Sequence, residues 1–450
     1  MIETVVEKRL TVGTRLSIAV MILVNLHLLA PFNLSDSPFA RIFTTFRVIL
    51  YFSLFIIFFY VLQRKAKIAD VPGAGVILVL LLSMACSTYL GQAERDSWLA
   101  FGKEFAFVTY SVLAASMLRS LQAIKTLLRW SMYVTIVFVI ISTFHILSLS
   151  NVLPSASSAR FLEHMIAGQT ELQYSFSPGI VGRESSLWFD ANNFGYIVAS
   201  QIVYLVYLLV AEKPRKITLV FRYSVLVLFV VAIVRTLSRG SFLAVLIGVS
   251  LFLFFAKGST SNRLKVFLRV AGVTVFVVVG LAVSSSQISE LVQRFYLATG
   301  LVGNDQAANL MGGMETERVI TAENTYSEFL QKPVLGWGSG KMLGLVWNGS
   351  TGNHLGYLDI LGHYGIIGFA LMIAVLWIAL SRLRQCMRYL GVRQERDVYL
   401  AYCLVGILGV SLVSEFFTVI NMIEAVVPLL AMYLAVNEIR KNDASLGSSQ

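Results

Sequence analysis

His354 is the residue of this chain with the clearest potential for acid–base chemistry. It follows Thr351 and Asn353, either of which can cap the start of a helix. An imidazole in the first turn of a helix faces the positive end of the helix dipole, which favours its neutral, proton-accepting form. The alternative is a structural histidine that packs or hydrogen-bonds at an interface, and the spacing alone leaves both roles open.

Three arginines supply the positive charge that an anionic substrate would need. Arg239 lies in the tight connection 235–241 between two apolar segments, and an arginine at membrane depth is costly unless it serves an anion or a site. Its planar guanidinium suits phosphate oxygens, although snorkelling towards lipid headgroups is the alternative role. Together with Arg183, Arg318 and a histidine, it could hold a pyrophosphate while a hydroxyl group is activated.

Other ionisable residues are weaker candidates. Glu104 follows Lys103 in an apolar run. An ionisable residue inside such a run is a candidate functional residue, because burying its charge in lipid is costly. Glu415 lies near the end of another run, where an interfacial role fits equally well. His363 follows His354 by nine residues, which places the two on opposite faces of a helix. No cluster has the spacing of a metal site, so we expect chemistry without a metal or other cofactor.

The composition requires a membrane around most of the chain. Of the 450 residues, 57% are hydrophobic and only 14% are charged, and the mean hydropathy is +0.75. A soluble domain carries about 25% charged residues, so this apolar excess needs lipid as its solvent. We predict an all-α integral membrane protein of about 12 transmembrane helices. The predicted spans lie near 14–32, 45–62, 73–90, 101–118, 128–148, 192–211, 217–235, 241–256, 267–285, 363–381, 399–415 and 419–436.

The distribution of positive charge predicts the orientation. With both termini in the cytoplasm, about two thirds of the 36 lysines and arginines fall in inside loops, as the positive-inside rule requires. The net charge of +11 therefore reports topology and attraction to anionic headgroups. It does not predict nucleic-acid binding.

We divide the chain into five parts. Residues 1–148 hold the first five helices, 192–285 the next four, and 363–450 the last three with a cytoplasmic tail. The loops 149–191 and 286–362 are long and lie outside, and the second bears the proposed active site, because long loops often carry functional residues. We find no Walker motif and no internal repeat, which disfavours an ATP-driven pump and an inverted-repeat transporter.

The second long loop predicts further elements. Five apolar residues have the spacing of one face of an amphipathic helix: Val319, Ala322, Tyr326, Phe329 and Leu330. Pro333 should end this helix, and the glycine-rich residues 336–340 predict a flexible turn. A further helix is expected to start around 350–354 and to continue through Gly365 into the tenth span.

Four stretches together resemble motifs of the O-antigen polymerase and O-antigen ligase superfamily, which are membrane glycosyltransferases of the GT-C type. In chain order they are Arg183 with residues 190–195, residues 236–240, Arg318 with residues 333–338, and residues 354–368. They occur in the family's order but depart from it in detail. Asp190-Ala191 stands where the family has Asp-Pro, and Asn353 precedes His354 where the family has His-Asn.

The resemblance implies roles for individual residues. His354 would be the catalytic residue. The pyrophosphate-binding residues would be Arg239, Arg318 and Arg183, and the supporting residues would be Tyr357, Asn192 and Asn353.

The resemblance also implies a reaction. A polymerase transfers a glycan from undecaprenyl pyrophosphate to the non-reducing-end hydroxyl of another lipid-linked repeat unit, and the related ligase transfers it to lipid A-core. A lipid-linked oligosaccharide flippase is the alternative from a different class, and it predicts charged residues along a central cavity. The expected partners are the lipid-linked oligosaccharide, the lipid bilayer and a chain-length regulator protein. The expected location is the bacterial inner membrane, with the site on its periplasmic side.

Overall fold

The computed structural model describes much of a helical bundle and a turn that packs on it. The described residues are Thr14, Arg15, Ile18, Gly272 and the ranges 68–91, 95–149, 191–212, 215–236, 238–256, 320–339, 356–392, 397–413 and 419–447. Within these residues the regular structure is helical and no strand occurs, in agreement with the predicted all-α class.

Most of the described helices overlap predicted spans. They are α1 (Ala74–Gly91), α2 (Arg95–Met117), α3 (Leu121–Leu149), α4 (Ala191–Ala211), α5 (Lys216–Thr236), α6 (Arg239–Phe255), α7 (320–331), α8 (Gly356–Val392), α9 (Val398–Val413) and α10 (Val419–Gly447). All of these except α7 overlap a predicted span, although α2, α3 and α8 begin six or seven residues earlier than predicted, and α8 and α10 end eleven residues later. The spans predicted near 14–32, 45–62 and 267–285 lie almost entirely outside the described residues.

The outer surface of the bundle is apolar and suits contact with lipid. Five described helices, α1, α3, α4, α5 and α8, contain a segment long and apolar enough to cross a membrane, and α6 and α9 are shorter apolar helices. Large apolar side chains such as Val220, Phe254 and Trp377 are exposed on their outer faces. An apolar surface of this extent is stable against hydrocarbon and not against water. The chain is therefore a multi-pass membrane protein.

Glycines allow α6 and α9 to approach closely in the middle of the bundle. A Cβ added at Gly406 of α9 would stand 2.6 Å from the carbonyl oxygen of Gly248 of α6 and 2.7 Å from Val203 Cγ1 of α4. Small residues commonly pack membrane helices in this way. Further along the same pair, Phe255 stacks on Tyr402. The two helices therefore run antiparallel, and the start of α6 lies at the same end of the bundle as the end of α9.

Gly406→Val is expected to destabilise the folded protein, because its side chain fits only if α4, α6 and α9 move apart. Overpacking of a core costs about 1–3 kcal/mol, which should lower the thermal unfolding midpoint of the purified protein in detergent. Gly102→Val on α2 is the matched control, since an added Cβ there meets nothing within 4 Å. Equal midpoints for the two variants would contradict the close crossing.

Ion pairs gather at one end of the bundle, which we call the basic end. Arg119, between α2 and α3, contacts Asp70 before α1 at 3.2 Å and Glu438 of α10 at 3.4 Å. Lys125 at the start of α3 contacts Asp397 before α9 at 2.5 Å. These segments were predicted to lie together on the inside, and the structure brings them together. The compartment that this end faces stays a prediction.

Candidate functional site

The opposite end of the bundle, which we call the motif end, holds the described parts of the four motif stretches. The helices α1, α5 and α9 end here, while α4, α6 and α8 begin here. The motif residues in this region are 191–195, 236, 238–240, 333–338 and 356–368. The contacts between them follow from hydrogen bonds and from glycines that bring backbones together.

The start of α4 packs directly on the turn between α5 and α6. A Cβ added at Gly195 would stand 2.0 Å from Ser241 Oγ, so glycine is needed for the contact. In the turn, Ser238 caps α6 by accepting a hydrogen bond from the Ser241 N–H at 3.2 Å, and Ser238 N–H donates to Thr236 Oγ1 at 3.3 Å. Arg239 is thus the first residue of a capped helix, and the first two motif stretches are in contact.

Helix α8 is two helices in succession, because the backbone at Gly365 is not helical (φ 63°, ψ −168°). The prediction of a continuous helix through this residue is therefore wrong. A break of this kind leaves carbonyl groups unpaired before it and N–H groups unpaired after it. In a membrane protein these groups need other partners, since no water reaches them in the hydrocarbon.

A turn formed by residues 333–339, called the 333–339 turn below, pairs the carbonyl groups before the break. The backbone N–H groups of Trp337 and Gly338 donate to the carbonyl oxygens of Gly362 and His363 at 2.9 and 2.7 Å. The carbonyl of His363 also accepts a hydrogen bond from Ser87 Oγ of α1 at 2.6 Å. The end of the first half of α8 is therefore satisfied by two different elements.

The same turn pairs the N–H groups after the break. Ile366 N–H donates to the Pro333 carbonyl oxygen at 2.9 Å, and Ile367 N–H donates to that of Val334 at 3.3 Å. A Cβ added at Gly365 would stand 2.3 Å from the Val334 oxygen. The 333–339 turn thus occupies the break in α8, and the third and fourth motif stretches form one packed unit.

The glycines of this turn serve close approach. Gly336 and Gly338 have φ of 73° and 86°, values that favour glycine. An added Cβ would stand 2.4 Å from the His363 oxygen at the first position and 2.4 Å from Thr88 Cα at the second. Both glycines are buried. The glycine-rich sequence therefore makes close backbone contacts with α1 and α8 at this turn.

Lys332 ties this turn to the end of α1. Its Nζ donates to the carbonyl oxygens of Leu90 and Gly91 at 3.2 and 2.8 Å and lies 4.0 Å from the centroid of the Trp337 ring. A cation at a helix C-terminus satisfies carbonyls that the helix leaves unpaired. Trp337 Nε1 in turn donates to the Glu328 carbonyl oxygen of α7 at 2.8 Å. Hydrogen bonds therefore join the turn to both α1 and α7.

A buried polar cluster lies beside the turn. Ser339 Oγ donates to Glu104 Oε2 of α2 at 2.7 Å, and the Tyr364 hydroxyl of α8 donates to the same oxygen. The two hydroxyl oxygens are 3.1 Å apart, and Ser339 N–H donates to Thr88 Oγ1 at 3.1 Å. The sequence offered Glu104 only as a weak candidate and did not predict Ser339 or Tyr364. The available signal was a carboxylate in an apolar run, which needs partners but does not name them.

Helix α7 confirms the predicted amphipathic helix and its end before Pro333, but a different face is buried. Thr321, Thr325 and Phe329 are buried, whereas Tyr326 and Leu330 are 52% and 56% exposed. Among the described residues of the predicted apolar face, only Phe329 is buried. The sequence rule assumes that apolar side chains turn away from water, and beside a membrane they can also turn towards lipid.

The predicted site residues divide into described and undescribed ones. Tyr357 lies in the first turn of α8, and its hydroxyl donates to the Leu412 carbonyl oxygen near the end of α9. Asn192 and Arg239 lie in the first turns of α4 and α6, and their side chains are outside the described part of the structure. The predicted residues that lie outside the described ranges are His354, Asn353, Arg318, Arg183 and, among the weaker candidates, Glu415.

The Tyr357 contact places the second pair of motif stretches at the same end of the bundle as the first pair. It links the start of α8 to the end of α9, and α9 runs antiparallel to α6, so its end lies at the same end of the bundle as Arg239. The described parts of all four stretches are therefore gathered at the motif end, opposite the basic end. Whether His354, Arg318 and Arg183 complete this arrangement stays a prediction.

His363 has a fixed ring orientation in this region. Its Nδ1 lies 2.7 Å from the Asp359 carbonyl oxygen. A carbonyl oxygen can only accept, so Nδ1 carries the hydrogen of this bond and Nε2 is the basic nitrogen of the neutral ring. This hydrogen bond joins two residues of α8.

The fold and the motif end define a multi-pass membrane protein with a candidate site at one end of its helices. Comparison with family models matches residues 224–373 to the O-antigen ligase family. These residues contain three of the four motif stretches completely. The resemblance to the O-antigen polymerase and ligase superfamily of membrane glycosyltransferases is therefore confirmed over this segment. No curated protein matches the chain.

Proposed function

We propose that the chain is a polysaccharide polymerase, of O-antigen or exopolysaccharide, that transfers a glycan from undecaprenyl pyrophosphate to the non-reducing-end hydroxyl of another lipid-linked repeat unit. The family match supports the wider class, which includes polymerases and ligases. The observation that carries the proposal is the gathering of the described motif residues at one end of the bundle. An end position suits substrates whose lipid lies in the membrane and whose sugars lie outside it.

The proposed reaction exchanges one bond at the anomeric carbon of the donor glycan. The oxygen of the acceptor hydroxyl bonds to this carbon, and the bond from the carbon to the pyrophosphate oxygen breaks. His354 takes the hydroxyl proton as general base, and the bonding electron pair leaves with undecaprenyl pyrophosphate. The pyrophosphate is itself the activated leaving group, so the reaction needs no nucleotide.

The arginines are proposed to neutralise the charge that develops on the leaving pyrophosphate. Arg239 is the first residue of α6, where the positive end of the helix dipole adds to the charge of its guanidinium. Arg318 and Arg183 are proposed to contribute from the outer loops, with Asn192, Asn353 and Tyr357 in support. In this proposal the motif end faces the periplasm of a bacterial inner membrane, and the basic end faces the cytoplasm.

Arg239→Ala is expected to stop chain elongation, because removal of one charge-stabilising donor typically slows such a step by about 10²–10³-fold. In cells that lack the native gene, surface polysaccharide on a gel should show single repeat units in place of a ladder. Arg235→Ala is the matched control, since Arg235 lies four residues earlier in the last turn of α5, and it should keep the ladder. Long chains from normally expressed Arg239→Ala would remove Arg239 from the proposed role.

The description of the matched family favours a second acceptor, lipid A-core, which would make the chain a ligase. A strain without the chain distinguishes the two activities. Under the polymerase proposal, single repeat units are expected on lipid A-core. Loss of a ligase would instead leave long lipid-linked chains that are not attached to lipid A-core, and loss of a flippase would leave repeat units on the cytoplasmic face.

A further inference from the structure

Three segments that are distant in sequence meet at one oxygen atom of Glu104. Ser339 Oγ and the Tyr364 hydroxyl both donate to Glu104 Oε2. Glu104 lies on α2, Ser339 ends the 333–339 turn and Tyr364 lies one residue before the break in α8. Both hydroxyl-bearing residues are buried, at 0% and 3% exposure. This cluster is the described point at which α2 is hydrogen-bonded to the turn and to α8.

The hydrogen bonds of the cluster suit a structural role for Glu104. Glu104 Oε2 accepts hydrogen bonds from both hydroxyl groups, so this oxygen has two partners. A carboxyl group in an apolar helix is costly without such partners. The backbone bonds described above join the turn to α8, but they do not reach α2. Glu104 therefore supplies a connection that the backbone contacts do not.

The two residues that bear these hydroxyls lie on either side of the proposed base in the sequence. Ser339 precedes His354 in sequence and Tyr364 follows it. One carboxylate therefore holds the chain on both sides of the segment that contains the proposed base. A shift of Glu104 would displace both flanks relative to α2.

We propose that Glu104 is a positioning residue that fixes the 333–339 turn and the first half of α8 relative to α2, and thereby sets the geometry of the motif end. Its effect on the turn rests on the geometry alone. Its effect on transfer rests on the proposed function.

The test compares variants of the purified full chain in lipid nanodiscs with two readouts. The first is hydrogen exchange of the backbone N–H groups of residues 337, 338, 366 and 367. The second is the kcat and KM of glycan transfer, with lipid-linked repeat units extracted from a polymerase-deficient strain as substrate. Glu104→Ala removes the acceptor, whereas Glu104→Gln keeps a carbonyl oxygen that accepts the same hydroxyls. Gln201→Ala is the control, since Gln201 is a buried side chain of similar size that bonds to Ser131 elsewhere in the bundle.

We expect Glu104→Ala to raise exchange at these four positions and to lower kcat by about tenfold or more, because two hydrogen bonds that hold the turn and α8 to α2 are lost. The KM for the lipid-linked unit should change little, because Glu104 is not proposed to touch substrate. Glu104→Gln should restore most of both properties, and Gln201→Ala should alter neither. If Glu104→Ala does not fold, Tyr364→Phe removes one of the two hydroxyls and should move both readouts in the same direction.

Unchanged exchange in Glu104→Ala would overturn the proposal, whatever happens to kcat. Raised exchange with unchanged kcat would overturn the role of Glu104 in setting the site. Raised exchange in a protein whose wild type shows no transfer would support the positioning of the turn and would count against the polymerase proposal alone.

Discussion

Replacement of His354 by alanine is expected to leave a folded protein in the membrane that no longer extends glycan chains. The acceptor hydroxyl would lose the base that takes its proton, and general base catalysis contributes about 10²–10⁴-fold to a reaction rate. The ladder of surface polysaccharide on a gel should collapse to single repeat units. The same variant should show a corresponding fall in kcat with extracted lipid-linked repeat units.

His363→Ala is the control that separates loss of a base from loss of any histidine near the site. Its ring bonds to the Asp359 carbonyl oxygen within α8, and its own carbonyl, which holds the 333–339 turn, survives the substitution. We expect this variant to keep the ladder. Full-length chains from His354→Ala at normal expression would mean that another group accepts the proton.

Gly365→Ala is expected to cause the second large loss of activity, although Gly365 is not proposed to touch substrate. The backbone of Gly365 adopts φ 63° and ψ −168°, a region that costs a residue with a Cβ about 1–3 kcal/mol. The new Cβ would also stand 2.3 Å from the Val334 oxygen. The strain can be relieved only by displacing the turn, which weakens the bonds that Ile366 and Ile367 make to it.

Surface polysaccharide and thermal midpoint should be measured together for this variant. We expect shortened chains and a lower midpoint for Gly365→Ala. Gly75→Ala on α1 should change neither, because an added Cβ there meets nothing within 4 Å. An intact ladder for Gly365→Ala would show that the turn can move without loss of function.

The helices were the most predictable part of this fold. A segment that crosses hydrocarbon must be long, apolar and internally hydrogen-bonded, so runs such as 73–90 and 217–235 predict α1 and α5 nearly to the residue. The grouping of Arg119 and Lys125 at one end also follows from local charge, because the positive-inside rule acts on each loop separately. These predictions needed no knowledge of which helices touch.

The site was less predictable, because its geometry depends on contacts between distant segments. The residues 336–340 predict flexibility when taken alone, and only the approach of α8 and α1 makes Gly336 and Gly338 into contact points. The break at Gly365 carries no local signal, since glycine is common inside membrane helices. A carboxyl group in an apolar run indicates that Glu104 needs hydrogen-bond partners. These partners lie more than two hundred residues away in the chain, so the local sequence does not identify them.

The four hydrogen bonds by which the 333–339 turn pairs the two sides of the break in α8 use main-chain atoms alone. Their specificity therefore lies in the path of the backbone, and the side chains at Val334, Ile366 and Ile367 are free to vary as long as their N–H and C=O groups stay in place. Proline suits position 333, where only a carbonyl is used, and would be excluded at 366 and 367, where an N–H is needed. Divergent relatives could thus keep the backbone pairing of the turn with α8 while sharing little more than its glycines.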